Sequence, residues 1–425
     1  MQESTKLKLA DATLFKKQCI VWASQFSTFL CLDNNYSKDK YHQEEFVIAV
    51  DAVNKIELQN TNNAFEKLKT YHAENEQTIY GYLSYDLKND VENLSSKNKD
   101  NLNFPELYFF SPRYEIKIKD NTCIINRNYI ESIYIKDAIE AVDVSTEISL
   151  NKIEWKKRVS KTTYIETVEK IRKDIEEGTV YELNYCYENY TENINVNPLS
   201  IFLRINEQVK APFSSLIKLN DKYVLSFSPE RFMQMQEGKM ISQPIKGTRK
   251  KGSGAKENKA LKQDLLQDEK ERAENVMIVD LVRNDFARSA ITGTIKVDEL
   301  FGIYEFENII QMISTVSAQK RENINAIDAL KLCFPMGSMT GAPKIKAMQL
   351  IEQYENTKRG VYSGAIGYIK PNGDFDFNVV IRTLLYNATR QYLSYQVGGA
   401  ITYDSKAEKE WEETIAKFQS VLGYL

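Results

Sequence analysis

Short apolar runs alternating with polar residues dominate the first third of the chain, and each reads as a half-buried strand. They are Cys19-Ile20-Val21-Trp22, Phe46-Val47-Ile48-Ala49-Val50, Leu107-Tyr108-Phe109-Phe110 and Glu115-Ile116-Lys117-Ile118. Asn/Asp/Lys clusters at 33–40 and 93–103 separate them as exposed loops. One helical stretch, 63–72, interrupts the strands, and aromatic-rich Tyr80-Gly81-Tyr82-Leu83-Ser84-Tyr85-Asp86-Leu87 reads as a buried strand end. The pattern shifts near 145–155. From 156 to 177 apolar residues recur at helical spacing (Val159, Tyr164, Val168, Ile171, Ile175), and Gly178 closes the helix. A strand is predicted over 179–190, a short helix over 199–206 behind Asn197-Pro198, and strands over 213–219 and 223–227. No internal repeat is present.

A further strand at 239–242 leads into Gln243-Pro244-Ile245-Lys246-Gly247-Thr248-Arg249, which places Lys246 where a strand ends and a glycine turn begins. A long charged helix follows over 257–287, then strands over 292–297 and 309–318 and a helix over 325–332. In Phe334-Pro335-Met336-Gly337-Ser338-Met339-Thr340-Gly341-Ala342-Pro343-Lys344, glycines flank hydroxyl residues and Pro343 suits the first position of the next helix, a candidate anion-binding start. This is not a P-loop, because the G-x-x-x-x-G-K-[ST] spacing is absent. Strands over 365–369 and 377–385 come next. Arg382 falls inside the second, flanked by Val379, Val380 and Ile381, as a candidate buried carboxylate clamp. Gly398 and Gly399 suggest another close-approach turn. The last helix, 406–422, has a capping box of Ser405 with Glu408 and a core stripe of Trp411, Ile415, Phe418 and Leu422.

Many short strands with peripheral helices predict an α+β fold. The 425 residues, 42% hydrophobic, are ample for a large core. A net charge of −3 on 56 basic and 59 acidic residues leaves no nucleic-acid or membrane footprint. Five scattered cysteines without C-x-x-C spacing suggest reduced thiols, and the polar start lacks a signal-like apolar region, so a soluble cytoplasmic protein is expected. The two histidines, His42 and His72, both lie in the first fifth of the chain. Proton transfer elsewhere must therefore use Glu, Asp, Lys, Tyr or Cys. A zinc site is disfavoured, whereas carboxylate-bound Mg²⁺ stays open.

Three features carry candidate chemistry. Lys246 is either a surface lysine in a basic loop or an amine nucleophile, and the second role needs partial burial or a tuned neighbour. Glu271 and Glu274 share one helix face, and Glu410, Glu413 and Lys417 form a stripe on the final helix. Each pair alone reads as a solvated acidic face. Together they suggest two facing helices whose carboxylates are neutralised by a cation such as Mg²⁺.

The segments SPERF, PIKGTR, DEKERAEN, DLVRND, GSMTGAPKIKAM, RGVYSGAIGYI, IRTL and GGAITYDSKAEKEWEET occur in that order between about 175 and 420. In this the chain resembles the chorismate-utilising enzymes: the component I chains of anthranilate and aminodeoxychorismate synthases, and the isochorismate and salicylate synthases. The first 150 residues match only loosely, through GYLSYDL. The resemblance implies two large, mainly antiparallel sheets packed as a sandwich, helices outside, and the site in the cleft between them. It implies an N-terminal region over 1–150 of the anthranilate synthase component I type and a chorismate-binding catalytic domain over 151–425, with the first contributing strands to the same body. By motif, Glu274 and Glu413 would ligate Mg²⁺, with Glu271 and Glu410 holding its waters. Arg382, Tyr362, Lys417, Thr248, Gln311 and the segments with Gly337, Thr340, Gly341, Gly398 and Gly399 would line the chorismate site. Glu230 matches the general acid for the departing C4 hydroxyl.

The lysine of PIKGT distinguishes aminodeoxychorismate synthases; anthranilate synthases carry alanine there. The resemblance implies that Lys246 attacks C2 of chorismate, after which ammonia from a separate glutamine amidotransferase subunit adds at C4. Two positions depart from the pattern. Glu182 stands where relatives forming amino products have Gln, and it is a candidate base for Lys246 or for a water near C2. Gln311 replaces a histidine; it can hydrogen-bond but carries no charge. No Leu-Leu-Glu-Ser motif is present, so tryptophan binding is not expected. Anthranilate synthase component I is the alternative within the family, and a noncatalytic polyanion binder using the 246–256 loop is the alternative outside it.

Overall fold

In the computed structural model, which describes residues 4–37, 39–144 and 153–425, the strands join into one antiparallel network that folds over into two leaves. One leaf runs from Glu182–Thr191 through Tyr392–Ile401, Thr383–Asn387, Lys222–Ser228, Phe213–Leu219 and Thr28–Asp33 to Phe46–Leu58. The other runs from Ile79–Leu83 through Ala365–Ile369, Phe375–Asn378, Arg231–Gln236 and Lys239–Gln243 to Ile309–Gln319. The long strands Phe46–Leu58 and Leu107–Lys119 belong to both, and a register shift between Ala52 and Asn54 turns the sheet between them. Two large apolar cores result, with a small third at Leu265, Ile310 and Met312. One centres on Phe109, Phe377, Tyr82 and Phe334, the other on Phe29, Phe227, Tyr187 and Trp411. This is the expected α+β sandwich with helices outside.

The predicted boundary near 150 lies outside the described residues. On either side of it, residues of the first 150 pair directly with later ones, Thr28–Asp33 with Phe213–Leu219 and Ile79–Leu83 with Ala365–Ile369. The GYLSYDL segment does more than pair. The Tyr85 N–H donates to the Gly360 carbonyl at 2.7 Å, and the Asp86 carboxylate accepts the Gly360 N–H at 3.0 Å. The N-terminal region thereby fixes the loop that carries Tyr362.

Several local expectations are corrected. Cys19 to Trp22 lie in a helix, Ala12–Ala23, capped by Asp11, because Ala12, Phe15, Cys19 and Ala23 put an apolar face on the sheet at helical spacing that a four-residue window misses. Tyr129–Glu140 is also helical, with Asn128 as its cap. The helix expected from 156 begins at Lys161 behind the Ser160 cap, although Gly178 does follow it in the left-handed region, φ 76°. The single helix expected over 257–287 is two, Ala255–Gln267 and Glu269–Ala287, broken where extended Asp268 caps the second by accepting the Glu271 N–H. Ser405 makes no box with Glu408, since its hydroxyl accepts the Thr402 N–H instead. The strand expected over 292–297 runs Lys296–Glu305, and Pro343 sits one residue outside the helix Lys344–Tyr354. Among the described residues no helix is long and apolar enough to cross a membrane.

Candidate active site

Lys246 lies within the strand Ile245–Lys250 rather than at a strand end. The pairing of this strand with Ile309–Gln319 slips between Ile245 and Thr248, and Gly247 occupies the slip with φ 88°. A Cβ on Gly247 would come within 2.9 Å of Leu265 and 3.2 Å of a Glu271 carboxylate oxygen, so glycine lets the two following helices close over the strand. The side chains of Lys246, Thr248 and Arg249 then reach different partners. Lys246 Nζ is 2.6 Å from Glu182 Oε1 and 3.9 Å from Glu274 Oε2. Thr248 Oγ1 accepts from Gln311 Nε2 at 3.5 Å, while the buried Gln311 Oε1 has no partner. Arg249 spreads over Asp264, Asp268 and Glu271 at 2.8, 2.7 and 3.3 Å.

Glu182 opens the strand Glu182–Thr191, which pairs with residues 341–342; the Asn184 N–H donates to the Thr340 carbonyl. Gly341, at φ 149°, is where the two backbones meet: a Cβ there would lie 2.1 Å from the Glu182 carbonyl oxygen. The hydroxyl of Thr340 donates to the Met336 and Gly337 carbonyls, 3.2 Å each, and closes the short turn Gly337–Met339. A Cβ on Gly337 would run into Leu281 at 2.6 Å. These residues hold the wall that carries Glu182.

Lys246 is 10% exposed. Burial alone would favour the neutral amine, but Glu182 and Glu274 outweigh it and hold the ligand-free lysine as an ammonium, its pKa above the ordinary lysine value. Burial pushes the Glu230 carboxyl up to about 7, with the Lys246 and Arg382 charges holding it back from going higher. Glu230 sits in the link between two strands, where its carbonyl accepts the Val379 N–H. Arg382 is not in a strand. It occupies a left-handed break, φ 53°, between Phe375–Asn378 and Thr383–Asn387, and its carbonyl accepts the Phe227 N–H. Among the described residues no carboxylate lies within ion-pair distance of Arg382, and burial disfavours its charge. A partly buried guanidinium without a counter-ion is a place for an anion.

Gly398 and Gly399 are strand residues rather than a turn, paired with Cys186 and Tyr185. Tyr362 is buried with its hydroxyl 3.6 Å from the Cys186 sulfur, and Lys417 Nζ lies 2.8 Å from Glu413 and 2.9 Å from the Gly398 carbonyl. The two acidic helices do face one cleft. Glu271 and Glu274 project from Glu269–Ala287, Glu410 and Glu413 from Ala407–Leu422, and burial raises the pKa of all but Glu413, which Lys417 holds down. Among the described residues no three of them gather into a closed metal cage. Each is balanced instead by a cation: Glu271 by Arg249, Glu274 by Lys246 and Lys270, Glu410 by Lys270, Glu413 by Lys417. The oxygen-only donor set and its open geometry fit Mg²⁺, which takes one or two protein carboxylates and keeps several waters.

Two groups escaped the sequence reading. Lys270, one turn before Glu274, bridges the two helices. Arg359, fully buried, ties Glu355 to the Asn184 and Met339 carbonyls and so joins three walls of the cleft. Its position in RGVYSG, four residues after Glu355, was the available signal.

The chain is 32% identical over 389 residues to anthranilate synthase component 1 of Aquifex aeolicus, covering 86% of this chain and 78% of that one. It is 30% identical over 361 residues to aminodeoxychorismate synthase component 1 of Bacillus subtilis, covering 79% and 74%. The crystal structure of anthranilate synthase component I from Streptococcus pneumoniae superimposes with a TM-score of 0.77 at 25% identity, covering 91% of this chain and 94% of that one. The isochorismate synthase MenF of Escherichia coli shares the fold, with a TM-score of 0.75 at 17% identity over 100% of this chain and 94% of that one. With the chorismate binding enzyme family model matching residues 17–423, the chain belongs to that family of chorismate-utilising enzymes.

Proposed function

We propose that this chain is the chorismate-aminating component of an aminodeoxychorismate synthase, converting chorismate and ammonia to 4-amino-4-deoxychorismate. The observation that carries this reading is the enclosed Lys246 amine, 2.6 Å from Glu182 and held over the cleft between the two acidic helices. Glu274 and Glu413, with Glu271 and Glu410 behind them, would hold Mg²⁺, which when bound supplies positive charge to anchor the substrate carboxylates. Arg382 would take a carboxylate, with Tyr362, Lys417, Thr248 and Gln311 lining the ring.

Glu182 accepts a proton from Lys246, whose freed Nζ bonds to C2 of chorismate. The ring double bonds shift and the C4–O bond breaks, the oxygen leaving as water with the proton of Glu230. Ammonia then bonds to C4, the double bonds shift back, and the C2–N bond breaks to return Lys246. Splitting the substitution into two steps replaces one high barrier by two lower ones. A carboxyl with a pKa of about 7 is suited to give up that proton near neutrality. The ammonia would come from a glutamine amidotransferase subunit, as the component 1 names of the relatives suggest. Five free, buried cysteines fit a reducing cytoplasm.

The second reading is anthranilate synthase component I, favoured by the Aquifex relative. Incubation with chorismate, Mg²⁺ and ammonium salt, followed by mass spectrometry of products, separates the two. Aminodeoxychorismate from wild type, and its loss in Lys246→Ala, is expected; anthranilate from wild type would overturn the first reading. The polyanion-binding alternative is weakened by the loop itself, since Arg249 and Lys251 are engaged in ion pairs.

A further inference from the structure

Lys270 occupies an unfavourable place for a lysine in an ordinary helix. It lies in the first turn of Glu269–Ala287, where the helix dipole favours negative charge, and it precedes its Glu274 partner in the weaker of the two i,i+4 orders. Its other contact explains more. The Nζ is 3.6 Å from Glu274 Oε1 and 4.0 Å from Glu410 Oε1, so one ammonium spans the two helices that form opposite walls of the cleft. Glu410 is 6% exposed, and among the described residues Lys270 is the one lysine or arginine within ion-pair distance of it. Lys270 itself is 53% exposed. Unlike Lys246, it can swing into water without losing an enclosed hydrogen bond.

We propose that Lys270 is a displaceable counter-ion of the metal position, holding the place between Glu274 and Glu410 until Mg²⁺ enters. The proposal rests on the reading of those glutamates as the Mg²⁺ site. It follows that the amine balances the charge of both carboxylates, and that the metal binds in competition with it. A buried carboxylate stripped of its one cation attracts another, so removing Lys270 should tighten metal binding. For a half-exposed pair the gain is modest, about threefold.

The test is calorimetric titration of Mg²⁺ into the ligand-free chain at low ionic strength, comparing wild type with Lys270→Gln, Lys270→Arg and Lys409→Gln. Lys409 lies on the final helix, exposed and outside the cluster, so its removal reports the effect of losing a positive charge nearby. Expected is an affinity about threefold tighter for Lys270→Gln, with Lys270→Arg and Lys409→Gln close to wild type. Equal shifts in Lys270→Gln and Lys409→Gln, or none in either, would overturn the proposal. Acylation of surface amines, read by peptide mass spectrometry on wild type, supplies a second measurement. Labelling of Lys270 should rise when Mg²⁺ is added while that of Lys409 stays constant, and an unchanged Lys270 counts against displacement. If wild type takes up no Mg²⁺ at all, the assignment of the glutamates fails first and this proposal falls with it. A wild type that binds Mg²⁺ with no Lys270 effect leaves the site reading standing and removes only the competition.

Discussion

Lys246 Nζ and Glu182 Oε1 are 2.6 Å apart, and the two side chains are 10% and 5% exposed. The lysine comes from the bulged strand beside the Glu269–Ala287 helix, the glutamate from the strand facing Gly341, so the pair closes the cleft from two sides. A glutamine at 182 could accept the same hydrogen bond but could not take a proton. The carboxylate favours the ammonium; in the proposed mechanism the same carboxylate, 2.6 Å away, takes the proton that Lys246 gives up.

Glu182→Gln should therefore lower kcat by about 10²-fold or more, the scale of a lost general base, with KM within a few-fold of wild type. Steady-state kinetics with chorismate and ammonium salt read this. Full activity in the variant would remove Glu182 from the mechanism and leave it a partner of Lys246 only.

Glu230 makes a pH prediction. As the proposed acid it must be protonated in the free enzyme, so kcat/KM should fall as pH rises through about 7, and Glu230→Gln should lose that limb together with most of its activity. Stability has the same sign. A carboxyl raised from 4.5 to about 7 in the folded chain opposes folding once it ionises; its contribution is intact below pH 4.5 and lost as pH rises through 7. Relative to wild type, Glu230→Gln should gain about 3 kcal/mol between pH 4 and pH 8, measured by urea unfolding at each pH. A pH-independent difference would mean that Glu230 is not the buried acid described.

Much of the candidate site was legible because its residues fall in short segments, each within one strand, turn or helix. Local spacing singled out Lys246-Gly247, the two glutamate pairs and the 337–341 turn as candidates, and the family resemblance supplied their expected roles. What the sequence withheld depends on partners far along the chain. Arg382 reads as a strand residue among Val379, Val380 and Ile381, yet its left-handed break sits between two long-range backbone bonds, Phe227 N–H to the Arg382 carbonyl and Val379 N–H to the Glu230 carbonyl, whose distant partners no local window contains. Gly398 and Gly399 look like a turn because the residues they pair with, Cys186 and Tyr185, lie far earlier in the chain. The Ala12–Ala23 helix failed for a related reason: a short apolar run has no period of its own, and the sheet it covers decides its form.

The strand that follows Glu230 rests on one buried arginine. Arg231 makes two hydrogen bonds to Asp376, at 2.9 and 3.0 Å, an ion pair to Asp39 at 2.5 Å, and a bond to Gln243. Arg231→Met leaves two half-buried carboxylates without their cation, which should cost about 3 kcal/mol and lower the urea midpoint. Loss of activity in proportion to unfolding, with normal kcat at low temperature, is expected if the residue is structural; a folded variant with depressed kcat would instead place it in the positioning of Glu230.

Gly398 and Gly399 are neighbours in one strand, and the structure separates their roles by what a methyl group would meet. At Gly398 it would lie 2.3 Å from the Tyr185 carbonyl oxygen and 2.4 Å from the Cys186 sulfur, contacts with a paired strand that cannot move aside. Gly398→Ala should destabilise the fold by a few kcal/mol, as strained core insertions do. At Gly399 the nearest atoms are carboxylate oxygens of Glu410 and Glu413 and Lys417 Nζ, at 3.6, 3.9 and 3.7 Å, all ordinary contacts. Gly399→Ala should fold with a wild-type urea midpoint. The added methyl, however, faces the groups assigned to the metal and its substrate, where it excludes water and ligand alike. Its expected signature is a KM for chorismate and an apparent Kd for Mg²⁺ each raised about tenfold or more, with stability unmoved. The two alanine variants thus form a matched pair: unfolding measurements should single out position 398, and binding measurements position 399. Wild-type affinities in Gly399→Ala would show that substrate and metal do not occupy the space beneath this strand.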